Sequence, residues 1–373
     1  MSERKIPFFN YPALFASQEQ ELMSLLRDVM GRGAYILQRD LVEFETNLRN
    51  FLGVKHAIGV ADGTNALMLA LLAVGVGPGD EVVVPAHTYI ASAASIHFVG
   101  AKPVLCECGG DHLIDTDSAR KVISKKTKAI MPVQLNGRTA EMDKVMSLAT
   151  EFGLHVVEDA AQALGSKFAG RFAGTFGAAG TFSFYPAKVL GCFGDGGGLV
   201  TNDDRVAEQI LLLRDHGRNP EGEVVAWGTN SRLDNVQAAI LNFKLKTFAR
   251  DLERRRAIAR IYDAGLKDVK ELVLPPAPDS QPKHHDIFQN YEIEAERRDD
   301  LKRHLEEHGI RTIVQFGGKA VHQFGGLGFQ GVSLPRTERM YTRLLLLPMN
   351  TTLSDDDAHY IVDAVRKFYG YKG

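Results

Sequence analysis

His155-Val156-Val157-Glu158-Asp159 is a short apolar run that reads as a buried strand ending on a carboxylate. The residues that follow, Ala160-Ala161-Gln162-Ala163-Leu164, can begin a helix, so an N-cap role competes for Asp159. A second run, Thr181-Phe182-Ser183-Phe184-Tyr185-Pro186-Ala187-Lys188, reads as a strand that breaks at Pro186 and delivers an amine just past the break. Similar runs lie at His56–Val60, Glu81–Val84, Ala129–Val133 and Gly198–Thr201, and helical patterns such as Asn65–Val74 and Asp143–Phe152 fill most of the gaps. Strand and helix in alternation predict an α/β fold, a largely parallel sheet sandwiched by helices. Ligands of such sheets sit at the carboxyl ends of the strands, where these motifs fall.

A chain of 373 residues exceeds the roughly 250–300 that one core usually supports, so two domains are expected. We place a large domain at 1–245, including an N-terminal helical segment, and a smaller C-terminal α/β domain at 246–373. Ser17-Gln18-Glu19-Gln20 has the pattern of a capping box, with Leu22, Leu25, Leu26, Val29 and Met30 following at helical spacing. A second amphipathic helix near 40–52 carries Leu41, Phe44, Leu48 and Phe51 on one face. From Asn235 to Leu266 a long helical stretch bears Arg250, Arg254, Arg255, Arg256 and Arg260, read as a solvated face between the domains rather than a phosphate site.

The formal net charge of −2 indicates no general attraction to nucleic acid or to an anionic membrane. Three cysteines, Cys106, Cys108 and Cys192, are too few and too odd in number for a disulfide framework and suit a reducing compartment. No second cysteine pair completes a zinc site around Cys106 and Cys108, and no metal is expected. The N-terminal Met1-Ser2-Glu3-Arg4-Lys5-Ile6-Pro7 lacks a signal-peptide core, and no apolar run approaches the roughly 20 residues of a membrane span. A cytoplasmic protein is expected.

An acid and an amine in these settings suit pyridoxal 5'-phosphate (PLP). A lysine holds the cofactor aldehyde as a Schiff base, and an acid keeps the ring nitrogen protonated so that the ring accepts electrons. Lys188 and Asp159 are the candidates. Asp62-Gly63-Thr64-Asn65 stands at a predicted helix N-terminus, where Gly63 and Thr64 can offer backbone N–H groups to a phosphate. Ser183 can add a hydroxyl, Gln162 can reach the ring's phenolic oxygen, and Tyr89 can stack on the ring. Gly194-Asp195-Gly196-Gly197-Gly198 lacks dinucleotide spacing and precedes a strand, so it reads as a tight turn. His284-His285-Asp286 reads as a surface loop, and His216 receives no role.

Together, Ala61–Leu67, Glu158–Ala163, Phe182–Lys188 with Gly194–Gly197, and Gly228–Asp234 resemble the DegT/DnrJ/EryC1/StrS family of PLP-dependent sugar aminotransferases. The resemblance implies fold-type I architecture, that of aspartate aminotransferase. It implies Lys188 as the Schiff-base lysine, Asp159 on the ring nitrogen, Gln162 near the phenolic oxygen and Tyr89 on the ring face. Gly63, Thr64 and Ser183 would meet the phosphate, with Asn230 reaching it from the other subunit of a homodimer. The implied substrates are an amino-acid donor, L-glutamate, and a nucleotide-linked ketosugar. Two segments depart from the usual pattern. Gln134-Leu135-Asn136-Gly137-Arg138 replaces His-Leu-Tyr-Gly, and Gln315-Phe316-Gly317-Gly318-Lys319-Ala320-Val321-His322 replaces a proline-rich segment; both regions lie near the substrate in the family. Sugar 3-dehydratases of the family carry histidine at the position of Lys188. An aromatising dehydratase and a PLP-binding regulator remain the alternative readings.

Overall fold

The runs singled out above become strands of a seven-stranded sheet in the computed structural model, which describes residues 4–372. Met1–Glu3 of the N-terminal segment lie outside the described residues. The order across the sheet is His56–Val60, Gly197–Thr201, Ala179–Ser183, His155–Asp159, Thr127–Ile130, Glu81–Pro85 and Lys102–Cys106. Five strands, from Lys102–Cys106 to Ala179–Ser183, run parallel. Gly197–Thr201 alone opposes both its neighbours. The edge strand Lys102–Cys106 was hidden in the sequence, because Lys102 and Pro103 interrupt its apolar character.

Alternation along each strand divides the side chains between two cores. Ile58, Val60 and Leu199 join Leu67 and Ala70 of helix Gly63–Ala73 on one face. Ala57, Val200, Phe182 and Phe184 join Leu41, Phe44 and Leu48 of helix Arg39–Leu52 on the other. A smaller antiparallel sheet, Leu272–Val273, Tyr291–Ala295 and Leu344–Leu347, has its own core with Tyr262, Leu301, Leu305, Ile361 and Val365. Ile6, near the start of the chain, packs in that second core. Helix Phe248–Leu266 serves both regions, with Phe248 and Leu252 in a core of the large sheet and Ile258 and Tyr262 in the smaller one.

Several expectations need correction. The capping box at Ser17 does not form. An earlier helix, Tyr11–Ala16, starts at Asn10, whose side chain accepts from the Ala13 N–H, and Ser17 closes that helix through its hydroxyl on the Leu14 carbonyl at 2.8 Å. The stretch from Asn235 to Leu266 is two helices broken at Lys246 and Thr247. Its arginines do not form one solvated face, since Arg255 and Arg256 are buried. Arg255 donates to the carbonyls of Phe288, Gln289 and Met349 at 3.0–3.2 Å, and Arg256 to that of Asp286 at 2.7 Å. Such bonds make burial of a guanidinium tolerable. His284–His285 is a short strand paired with Lys167–Phe168 rather than a surface loop, and Asp286 is buried against Arg138. Among the described residues no helix is long and apolar enough to cross a membrane.

Candidate active site

Asp159 is fixed through its main chain on both sides. Its N–H donates to the Pro132 carbonyl at 3.0 Å, its carbonyl accepts from Gln134, and the next N–H, of Ala160, reaches Thr181 on the neighbouring strand. No helix begins at Ala160, so the N-cap explanation for Asp159 fails. The carboxylate accepts from the Ser92 hydroxyl at 2.6 Å and from the Ala161 N–H at 3.2 Å. Burial pushes its pKa up, while Ser92, the Ala161 N–H and the charge of Lys188 pull the other way. A carboxylate in this position favours a cation beside it, which a protonated ring nitrogen would supply.

Lys188 sits in the turn after the adjacent strand, its N–H on the Tyr185 carbonyl at 2.8 Å. Burial lowers the pKa of its amine, with Asp159 opposing. Sequence reasoning missed the residue that grips this turn. Gln289 accepts from the Val189 N–H and donates to the Ala187 carbonyl, both at 2.7 Å, and so brackets the lysine. Two hydrogen bonds from one side-chain amide fix the backbone on either side of Lys188.

Gly63 and Thr64 open helix Gly63–Ala73, whose N-cap Asp62 accepts from the Asn65 N–H at 2.8 Å. The first two N–H groups of the helix are left over for an anion. A Cβ on Gly63 would stand 2.8 Å from that of Ser183, and one on Gly197 would meet the Asp62 carbonyl carbon at 2.3 Å. Only glycine permits this close approach, which brings the Ser183 hydroxyl beside the helix N-terminus.

Gln162 has its Oε1 occupied by the N–H of Asn136 at 2.8 Å and, more weakly, by Asn290 at 3.4 Å. Its Nε2 is thereby left as a donor, the chemistry a phenolate oxygen requires. Asn136 is the hub of the departing segment. Its Oδ1 accepts from Asn290 at 2.9 Å and Gln315 at 3.1 Å, and its Nδ2 donates to Glu292 at 2.9 Å. Gln134 faces away from the site and is buried, joining Glu158 to the Ala140 N–H. The two segments that break the family pattern therefore meet through Asn136 and Gln315. His87, His112 and Glu292 bring three ligand atoms within 4.8 Å of one another. Hydrogen bonding explains this cluster: His112 gives one ring nitrogen to Glu292 and the other to Glu294, as an imidazolium does.

Tyr89 is exposed, its ring 5.8 Å from that of Phe316. Asn230 is exposed as well, at the end of a segment, 221–230, in which every residue is exposed. Its backbone bridges Asp215. Lys188, Asp159, Gln162, Gly63, Thr64 and Ser183 are thus brought to one end of the sheet, while Tyr89 and Asn230 present bare side chains. The free amide of Gln162, the buried acid, the amine and the cradle that a Cβ would fill fit PLP.

The chain belongs to the DegT/DnrJ/EryC1/StrS aminotransferase family, whose model matches residues 16–366. It is 40% identical over 369 residues to the dTDP-3-amino-3,4,6-trideoxy-alpha-D-glucose transaminase of Streptomyces venezuelae, covering 98% of this chain and 96% of that one. A protein of Geobacillus stearothermophilus named as a pleiotropic regulatory protein is 38% identical, with 98% of each chain covered. The solved structure of S. venezuelae DesV in complex with a ketimine intermediate aligns with a TM-score of 0.94 at 38% identity, over 99% of this chain and 100% of that one.

Proposed function

We infer that the protein is a PLP-dependent aminotransferase that moves an amino group from an amino acid, L-glutamate, to a ketone of a nucleotide-linked sugar. The observation that carries this reading is the Lys188 amine, its pKa lowered by burial, beside the buried Asp159 at the carboxyl ends of neighbouring strands. When bound, PLP supplies an aldehyde and an electron-accepting ring. Gly63, Thr64 and Ser183 would hold its phosphate, and Asp159 would keep a proton on the ring nitrogen. The amide of Gln162 would donate to the phenolic oxygen, and Tyr89 would cover one face of the ring.

Lys188 first anchors the cofactor. Once displaced by the incoming amino group, its amine would serve as the base, a role that burial favours by lowering its pKa. It would move a proton from the donor's α-carbon to the former aldehyde carbon of the cofactor, two atoms along, so that water could release the 2-oxo acid and leave the amino group with the cofactor. The same proton moves run in reverse on the ketosugar, which departs as an amino sugar. Lys188 is both covalent anchor and general acid–base. Binding of the remote nucleotide helps to orient the reacting ketone. Lys319, exposed beside the Phe316 turn, is a candidate for its diphosphate; Arg232 is already paired with Asp215 at 2.9 Å.

The active unit in this reading is a homodimer with Asn230 completing the phosphate site of the partner. Trp227 is 97% exposed, with Val224 and Val225 also bare, which supports an apolar surface covered by a second copy. The proposed boundary between domains of 1–245 and 246–373 falls at the helix break at Lys246–Thr247, although Ile6 packs in the smaller region and Phe248 and Leu252 in the larger. A cytoplasmic location is supported by three free, buried cysteines.

The test is single-turnover oxidation of the pyridoxamine-loaded enzyme by nucleotide ketosugars, the matching free sugars and simple 2-oxo acids. Nucleotide ketosugars are expected to react fastest. Faster turnover with oxaloacetate or pyruvate than with every ketosugar would make this an amino-acid aminotransferase. Release of water or of an aromatic product without amine transfer would make it a dehydratase, and no turnover of any donor would favour a regulator.

A further inference from the structure

Behind Gln162 lies a buried charged cluster that the transamination described above does not use. Glu292 is 3% exposed, yet it stands in Tyr291-Glu292-Ile293-Glu294-Ala295, a strand of the small sheet. All its hydrogen bonds fall on one oxygen. Oε1 meets His112 Nδ1 at 2.8 Å, Asn136 Nδ2 at 2.9 Å and His87 Nε2 at 3.3 Å. Its Oε2 is buried with no partner among the described residues. His87 is held in turn by Tyr341 at 2.8 Å, and His112 by Glu294 at 3.2 Å. Arg343 approaches Glu294 from the far side at 3.2 Å.

The arrangement converges on Asn136. This residue has φ 55°, a left-handed backbone that asparagine tolerates better than most residues, and Gly137 after it cannot carry a Cβ, which would meet the Gln289 N at 2.6 Å. In that backbone setting the Asn136 N–H points at Gln162 Oε1. The side-chain amide is pinned at both ends, by Glu292 on its nitrogen and by Asn290 and Gln315 on its oxygen.

We propose that Glu292 is a positioning residue for the cofactor ring: fixed between His87 and His112, it holds Asn136 in the setting that turns the Gln162 amide toward the ring's phenolic oxygen. Glu292 does not touch the cofactor. It acts through two residues, and its influence ends at the proton affinity of that oxygen. The proposal rests on the PLP reading, and its test is chosen to separate the two.

The experiment titrates the visible absorption of the PLP-loaded enzyme against pH. Glu292→Gln keeps the shape and an acceptor oxygen but removes the charge that binds both histidines. A slackened Gln162 donor stabilises the phenolate less, so the midpoint of the visible transition should rise by about half a pH unit. Gln162→Ala should raise it at least as far. Adding Glu292→Gln to Gln162→Ala should then shift it no further, the non-additivity expected when one residue acts through the other. A merely structural Glu292 would lower the melting temperature and leave the midpoint in place. If Glu292→Gln does not fold, His112→Asn tests the same lock, because asparagine suits the left-handed φ of 64° at that position.

A wild-type midpoint in either folded variant overturns the proposal, as does an equal shift with and without Gln162. Failure of both variants to fold assigns the cluster to stability alone and also overturns it. A wild-type protein that shows no visible band on addition of PLP breaks the cofactor reading and takes this proposal with it. A normal wild-type band with an unmoved Glu292→Gln midpoint breaks this proposal only.

Discussion

The two walls of the site are built in different ways. On one, Asp159 and Ser183 end neighbouring strands held by main-chain bonds of the sheet, with Gln162, Lys188 and Gly63 in the turns and the helix start beside them. On the other, Asn136, Glu292, His87 and Gln315 are joined side chain to side chain from segments far apart in the chain. The first wall inherits most of its geometry from the sheet, with the Gln289 side chain bracing the Lys188 turn. The second exists only while each partner is present. The two segments that depart from the pattern expected of the family meet on the second wall, through Asn136 and Gln315.

The largest effect should come from the first wall. Lys188→Ala removes anchor and general base together, so transamination should fall by at least about a thousandfold, since proton transfer alone contributes roughly 10²–10⁴. The fold should persist, because the lost amine is one whose charge burial disfavours. Borohydride reduction followed by peptide mapping should find the cofactor on the Ser183–Lys188 segment of the wild type. A stoichiometric adduct on another lysine would break the comparison at its base.

Asp159→Asn should retain the cofactor on the Gly63–Ser183 cradle but slow the glutamate half-reaction by roughly tenfold to a hundredfold. That follows if the ring nitrogen loses one to two pKa units of support, each about 1.4 kcal/mol. Near-normal single-turnover rates would show that another group serves the nitrogen.

A third effect concerns the bare segment that ends at Asn230. Lys188→Ala and Asn230→Ala subunits are each expected to be poorly active alone. Random reassortment would place both lesions in one site of each heterodimer and leave the other intact, restoring about a quarter of wild-type sites. No gain on mixing, with subunit exchange confirmed by native mass spectrometry, would mean that each site is built within one chain.

The first wall was legible in the sequence because its residues are neighbours of features that announce themselves. Asp159 closes an apolar run, Lys188 follows a proline break, and Gly63 stands where a strand gives way to a helix. The second wall was legible only in part: the segments of Asn136 and Gln315 stood out as departures, but not the acid that anchors Asn136. Glu292 alternates with Tyr291 and Ile293 and so looks like a solvent-facing acid, yet it is buried because His87 and His112 cover it from segments about 200 residues upstream. Arg255 and Arg256 deceived for the same reason, since helical periodicity assigns a face but cannot say which carbonyls will meet it. At Ser17 a local motif lost to an earlier one, the Asn10 cap with Pro12 in the first turn.

The smallest effect tests whether the second wall is held by charge. Burial acts against a protonated His112, but Glu292 and Glu294 outweigh it and raise the pKa to about 10. Burial likewise opposes ionisation of Glu292, yet His87 and His112 hold its pKa down at about 2. A raised histidine pKa stabilises the fold fully below its unfolded value of about 6.5, and that contribution is lost as pH rises through the folded value. A depressed carboxylate pKa stabilises above its unfolded value near 4.3 and fails as pH falls through the folded one. The two groups describe one interaction, whose full contribution lies between roughly pH 4.3 and 6.5. His112→Asn should therefore lower the melting temperature most near pH 6, by a few degrees, and the deficit should shrink steadily toward pH 10. Thermal melts of wild type and variant at pH 6, 8 and 10 measure it. A deficit that stays constant with pH would mean that His112 contributes packing rather than charge, and the two walls would then differ in where their bonds come from but not in their sensitivity to protons.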